Sequence, residues 1–339
     1  MPKFEKSAAE EIERASMNRP HVVLLGAGAS RAAFPKGERN GRLLPLMLDF
    51  TDIVPIADTL KKAGVSPADT NFENTYSNLC LDLSKAHARE AVEEEVFRYF
   101  SSLELPETPT LYDHLVLGLR SKDAIATFNW DPFLIQAAQR NAHLTAMPKL
   151  LFLHGNVLQG FCPKDRVHGV RDASCSRCGG LFKPVKLLYP IRDKDYTKDP
   201  AISAAWDAVL RAFESAFMVT VFGYSAPTTD GGAIRLLRDA WGGSSRRSLE
   251  QFEFIDVREE NSLITSWRGF VDPGDHHYDI HREFSSSWIA NHPRRTGEAY
   301  WDQYMEALFI DNNPVPQFSS LDELWTWYEP LLKAEDSFR

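Results

Sequence analysis

Four stretches place side chains capable of chemistry directly after apolar runs. Gly26-Ala-Gly28-Ala-Ser30 follows His21-Val-Val-Leu-Leu25, and Thr127-Phe-Asn129-Trp-Asp131 closes the run that starts at Ala124. His154-Gly155-Asn156 follows Leu150-Leu-Phe-Leu153, and Gly223-Tyr-Ser225 follows Phe217-Met-Val-Thr-Val-Phe222. Glycines let a backbone turn tightly and bring its N–H groups against a diphosphate, to which Ser30 adds a hydroxyl. Arg31 stands where a dinucleotide fingerprint has its third glycine, so a ligand-free strand-to-helix turn also fits this loop. Strand alternation aims Thr127, Asn129 and Asp131 to one side and Phe128 and Trp130 to the other, which sets an amide beside a carboxylate at a strand mouth. The competing reading makes Asn129 or Asp131 the N-cap of a helix that Pro132 begins. His154 is the third polar group in succession to follow a buried strand, which weighs against a purely structural histidine. Gly223 permits close backbone approach, and Ser225 can serve a phosphate or a ribose. Asp256, near the end of a fifth run (Phe252-Glu-Phe-Ile-Asp-Val257), reads as a ribose-hydroxyl acceptor or as a solvated strand end.

A second cluster has metal-ligand character. Three of the four cysteines, Cys162, Cys175 and Cys178, lie close together, and Cys175-Ser-Arg-Cys178 is followed by two glycines, as in a metal-binding knuckle. Asp165 or His168 would complete a tetrahedron. His277 and His281, four apart after Asp275-His276, have no supporting ligand set. The pairs Arg246-Arg247 and Arg294-Arg295 read as solvated surface.

These residues need a scaffold, and the texture of the chain supplies one. Short apolar runs that alternate with helical stretches imply a parallel α/β sheet, which binds ligands at the carboxyl ends of its strands. Residues 4–18 and 72–103 read as helical. Residues 156–190, rich in Gly, Pro, Lys, Arg and Cys, read as a small inserted module. From about 285 the chain becomes aromatic, with Trp288, Tyr300, Trp301, Tyr304, Phe309, Trp325, Trp327 and Tyr328. Such a density of Tyr and Trp suits an assembly interface, or else a cap on the chain's own sheet.

Composition bounds the rest. The 339 residues carry 38 Lys+Arg against 47 Asp+Glu, a net charge of −9, which argues against generic nucleic-acid binding. No apolar run approaches a bilayer span, no secretory leader is visible, and sparse cysteine suits a reducing cytoplasm.

The motifs, taken in order, resemble those of the sirtuin-like superfamily. Gly26-Ala-Gly-Ala-Ser30, Thr127-Phe-Asn-Trp-Asp131, Leu153-His-Gly155 and Gly223-Tyr-Ser-Ala-Pro-Thr-Thr-Asp230 are more similar to its bacterial antiphage NADase branch than to the protein deacylases. Asn71-Phe-Glu73, Leu188-Tyr-Pro190 and Trp206 are secondary landmarks, and the likeness spans roughly residues 20–260. The resemblance implies a Rossmann-like parallel sheet with a helical insertion near 40–115 and a zinc-ribbon-like insertion near 156–190, within a catalytic domain over 1–284. Residues 285–339 would form an aromatic helical tail.

It further implies an NAD site with Asn129 and His154 as catalytic pair, the pKa of His154 lying near the working pH. Gly26, Gly28, Ser30, Thr127, Asp131, Gly223, Ser225 and Asp256 would hold the dinucleotide, with Asp131 at the nicotinamide. Zinc would bind Cys162, Cys175, Cys178 and Asp165. Two departures from the deacylases, Phe128 in place of Gln and Phe34-Pro-Lys-Gly37 in place of Asp-Phe-Arg, favour hydrolysis of NAD. The implied setting is antiphage NAD depletion by a cytoplasmic homo-oligomer, with a partner ATPase or sensor and no membrane or nucleic acid. A deacylase, an ADP-ribosyl transferase, or a non-catalytic NAD- or ADP-ribose-sensing subunit are the alternatives.

Overall fold

The structure, a computed structural model, describes residues 4–65, 71–191, 194–242, 247, 249–272 and 277–338. Its strands are β1 (Glu5–Lys6), β2 (His21–Leu25), β3 (Ala124–Thr127), β4 (Lys149–Phe152), β5 (Gln159–Cys162) and β6 (Val167–Val170). They continue with β7 (Lys183–Pro184), β8 (Met218–Phe222), β9 (Gln251–Ile255), β10 (Tyr278–His281) and β11 (Phe309–Ile310). Six of them form one parallel sheet in the order β10-β9-β8-β2-β3-β4. Numbered among themselves along the chain, these six run 6-5-4-1-2-3, the doubly wound Rossmann order. The order reverses between β2 and β8.

Strands buried on both faces must be apolar throughout, and alternation sends their side chains into two cores. Val23 and Leu25 join the core under the helices at 72–81, 86–101, 111–117, 133–141 and 321–335. Val22 and Leu24 join the core under the helices at 200–215, 231–241 and 260–266. Each of these four side chains is fully buried, which stabilises the fold by ~1.5–3 kcal/mol apiece. The helices between β2 and β3 make up the helical insertion, and β6-β5-β7 form a separate antiparallel sheet around the cysteines.

Register decides what the sheet presents. Leu25 pairs with Thr127 and Phe222, Thr127 pairs with Phe152, and Phe222 pairs with Ile255. The five strands therefore end level with one another. Gly26, Phe128, Leu153, Gly223 and Asp256 all leave the sheet along one line.

Several expectations are corrected. Only Ala8–Ile12 of residues 4–18 is helical, started by a Ser7/Glu10 capping box, because Glu5–Lys6 pairs with Phe309–Ile310. The strand β10 was not expected. It places His281 on an edge strand, where residues four apart lie ~13 Å from one another, so His277 and His281 do not converge as they would on a helix. Asp275, His276 and Arg246 lie outside the described residues.

Arg294 and Arg295 are not solvated. Both are buried, and both donate to Glu335, Arg294 Nε at 2.6 Å and Arg295 Nη1 at 2.9 Å. The aromatic segment from 285 packs largely inward. Trp288, Tyr300 and Tyr328 are buried, and Trp325 Nε1 donates to Asn141 Oδ1 at 2.7 Å, while Tyr304 and Phe309 stay exposed. Spacing explains this, since Leu324, Tyr328 and Leu331 share one face of the last helix and enter the core beside Val92 and Leu115.

Candidate active site

The level strand ends open into a cleft of about 510 Å³ at the point where the strand order reverses. That is the location at which open α/β sheets bind ligands. Gly26, Gly28, Ser30, Asn129, Asp131, His154, Gly223, Ser225 and Asp256 all line it. Thr127 does not; its hydroxyl accepts the Asn129 backbone N–H at 3.0 Å and shapes the turn.

The glycines also pack the two strand-end loops against each other. A Cβ on Gly26 would lie 2.5 Å from the Gly223 carbonyl oxygen, and one on Gly223 would lie 2.3 Å from the Ala29 nitrogen. Gly223 also has φ +60, a left-handed conformation that side chains disfavour. The two loops after β2 and β8 interlock, and the Gly28 N–H is spent on the Gly223 carbonyl at 3.0 Å. These residues seat the two halves of the sheet together at the cleft floor.

Alternation fails after Thr127, because β3 ends there. Phe128 enters one core, stacked on Tyr224 at 4.0 Å, and Trp130 enters the other beside Phe50 and Phe100. The turn thus straddles the sheet edge and holds Asn129 and Asp131 between two aromatic walls. Asn129 Nδ2 donates to the Gly26 carbonyl and to Ser30 Oγ, each at 2.9 Å, which leaves its side-chain oxygen without a partner among the described residues. Ser30 Oγ donates to Asp131 Oδ2 at 2.7 Å and lies 2.7 Å from the Tyr112 hydroxyl. Burial raises the Asp131 carboxyl to about 6, against the opposing hydrogen bonds from Ser30 and the Phe133 backbone. The helix Phe133–Asn141 has Pro132 as its N-cap residue, and the Phe133 N–H that opens it hydrogen-bonds the Asp131 carboxylate.

His154 sits in an aromatic box. Its ring meets Phe128 edge-on at 4.9 Å and lies parallel to Tyr196 at 6.1 Å, and Trp206 Nε1 anchors the preceding Leu153 carbonyl at 3.1 Å. His154 Nε2 is buried without a hydrogen-bond partner. Burial lowers its pKa to about 3, with Asp230 opposing and Lys194 assisting. The expectation of a pKa near working pH is therefore corrected: burial keeps the ring neutral, and Nε2 accepts in the tautomer that carries its proton on Nδ1.

Sequence reasoning missed Glu73, Lys194, Tyr224, Asp230, Arg258 and Arg282, which also line the cleft. Glu73 and Asp230 terminate motifs quoted above, so a signal was present for them. Ser225 is exposed and its hydroxyl makes no described contact, while its carbonyl accepts from Arg258 at 3.2 Å. Asp256 is held by Arg258 at 2.8 Å.

Away from the cleft, the donor atoms of Cys162, Asp165, Cys175 and Cys178 all lie within 4.8 Å of one another. Cys162 Sγ is 3.5 Å from Cys178 Sγ and 3.4 Å from Asp165 Oδ2. A zinc tetrahedron with ~2.3 Å bonds to sulfur has edges of ~3.8 Å, so the donor set fits that ion. The Asp165 carboxylate beside it pushes the Cys178 thiol up to about 12, and a cation relieves this crowding of negative charge. His168 is not one of the converging donors; its Nδ1 pairs with Gln159 at 2.8 Å and its ring packs on Phe161.

No family model and no curated protein sequence matches the chain. The chain is similar in structure to sirtuins. A Sir2 homologue solved as its NAD complex shares 15% identity over 97% of this chain and 97% of that one, at a TM-score of 0.35. A Sir2 homologue variant solved with ADP-ribose shares 14% over 98% and 97%, at 0.37. A structure addressing sirtuin substrate affinity shares 16% over 83% and 94%, at 0.38. The α/β fold stated above rests on strand order and register. Among the described residues, no helix is long and apolar enough to cross a membrane.

Proposed function

We propose that the chain hydrolyses NAD, cleaving the bond between nicotinamide and its ribose. The observation that carries this reading is the pairing, at one strand-end cleft, of an Asn129 side chain whose oxygen is unclaimed with a buried neutral His154 whose Nε2 is unclaimed. Loss of nicotinamide passes through an oxocarbenium-like state. The pyridinium nitrogen takes the bonding pair and departs as neutral nicotinamide, so no general acid is required. A water oxygen then bonds to the anomeric carbon and its proton passes to His154 Nε2. Both groups that this demands are acceptors: Asn129 Oδ1 orients the water or a ribose hydroxyl, and His154 takes the proton. Asp131, buried and tied to Ser30, would hold the nicotinamide amide, the role that the motif resemblance implies for it.

The aromatic box favours water over a bulky acceptor, because Phe128 and Tyr196 occupy the flanks of His154. Cys162, Asp165, Cys175 and Cys178 would hold a structural zinc that braces the β6-β5-β7 sheet. Motif resemblance supports the finer setting: cytoplasmic NAD depletion in antiphage defence by a homo-oligomer, gated by a partner ATPase or sensor. A stable monomer by light scattering at micromolar concentration would remove the oligomer from this account.

Chromatography of NAD incubated with the purified chain tests the reaction. Equal amounts of nicotinamide and ADP-ribose are expected. Nicotinamide release that requires an acylated peptide would replace hydrolysis with deacylation.

A further inference from the structure

One buried ion pair on the cleft wall has no part in the reaction as described. The side chains of Lys194 and Asp230 are 3% and 5% exposed, and Lys194 Nζ contacts Asp230 Oδ1. Tyr224 donates its hydroxyl to Asp230 Oδ2 at 2.8 Å. Both carboxylate oxygens are thereby claimed, and among the described residues no hydrogen bond joins Asp230 to the imidazole. A buried ion pair is weak evidence for stability, because desolvation consumes most of its attraction. Its place beside an unpartnered catalytic imidazole calls for another role.

We propose that Lys194 and Asp230 form a positioning pair for His154, in which Lys194 and Tyr224 hold the Asp230 carboxylate off the imidazole so that Nε2 remains free for the substrate. This rests on the hydrolase reading above. The ionisable groups around the ring are Lys194, Asp230 and Tyr196. Tyr224 lies behind Asp230, and Glu73 is joined to the same wall through the Thr229 hydroxyl. Of these, Asp230 is the one anion that acts directly on His154. Its own carboxyl is pushed up by burial, but Lys194 and the Tyr224 hydroxyl oppose this and its pKa is lowered overall. Without the lysine, that carboxylate would have His154 as its remaining cationic partner. The ring would then bind a proton at a higher pH than it does beside the lysine.

The test is a charge cycle read in two ways. In Lys194→Met, the His154 titration followed by NMR moves up by ~1–3 pH units, the range for an uncompensated neighbouring carboxylate. The acid limb of nicotinamide release rises with it, so turnover near pH 4 falls ~2–100-fold while turnover at neutral pH changes little. In the double variant Lys194→Met/Asp230→Asn both charges are gone, the titration returns to its low value, and the acid limb returns with it. Lys194→Arg, which keeps the cation, retains the low titration and covers the case in which Lys194→Met does not fold. An unmoved His154 titration in folded Lys194→Met, or a double variant no better than the single, overturns the pair's role. The NMR titration needs no turnover, so a chain that fails to release nicotinamide defeats the hydrolase reading while still reporting on the pair.

Discussion

The molecule buries a histidine at each end of its sheet, and the two are treated in opposite ways. His21 opens β2 at the amino end. Its Nε2 lies 2.7 Å from the Thr220 hydroxyl and its Nδ1 3.0 Å from that of Thr296, and Thr220 in turn donates to Glu253 at 2.6 Å. His154 follows β4 at the carboxyl end, with Nε2 unpartnered among aromatic rings. Burial lowers both pKa values, to about 4 and about 3. Both ring nitrogens of His21 have partners within the fold. Nε2 of His154 has none among the described residues, at a cost in stability that a ligand would offset. A buried histidine is thus a poor marker of function, and an unsatisfied one at the mouth of a cleft is a better one.

Disturbing the amino end should affect stability and spare chemistry. Arg295→Met takes from Glu335 one of its two arginines and from the Ile12 and Leu331 carbonyls their donor, and should destabilise the chain by ~1–3 kcal/mol in denaturant unfolding, with nicotinamide release per folded molecule unchanged. An equal loss of turnover in the folded fraction would join the two ends functionally. The cysteine module comes next. About one zinc per chain is expected by elemental analysis, falling in Cys175→Ser together with the melting temperature. Protein purified without chelator that holds well under one equivalent would overturn the zinc assignment.

A smaller effect follows from the two histidines together. The unfolded chain binds protons near pH 6.5, whereas the folded chain resists them until about 4 at His21 and about 3 at His154. The unfolded state therefore holds more protons in that window, and stability falls as pH drops from 6.5 toward 4. His154→Phe should show a shallower fall in melting temperature across the same window. An unchanged slope would mean that the ring already carries a proton in the fold.

Much of this was legible in the residues. Strands buried on both faces declare themselves as apolar runs, and five of the six strands of the main sheet were read that way; β10 lies at the edge, half-buried, and its Tyr278-Asp-Ile-His281 lacks that signature. Glycines, Asn129 and His154 stood out because each follows such a run. Their contacts did not. Whether Gly28 donates to a ligand or to Gly223 depends on a loop nearly 200 residues away, and no local pattern encodes it. Arg294-Arg295 looked like surface because its partner, Glu335, lies 40 residues beyond it, on the last helix. Lys194 had no motif around it, and only the fold brings it to Asp230.

The central claim is that His154 takes a proton during cleavage of NAD. The direct measurement is the rate of nicotinamide release by the purified chain and by His154→Ala, with circular dichroism to confirm that both are folded. The account predicts release by the unaltered chain and a rate at least ~100-fold lower in the variant. Comparable rates from the two, or no release by the unaltered chain, would contradict it.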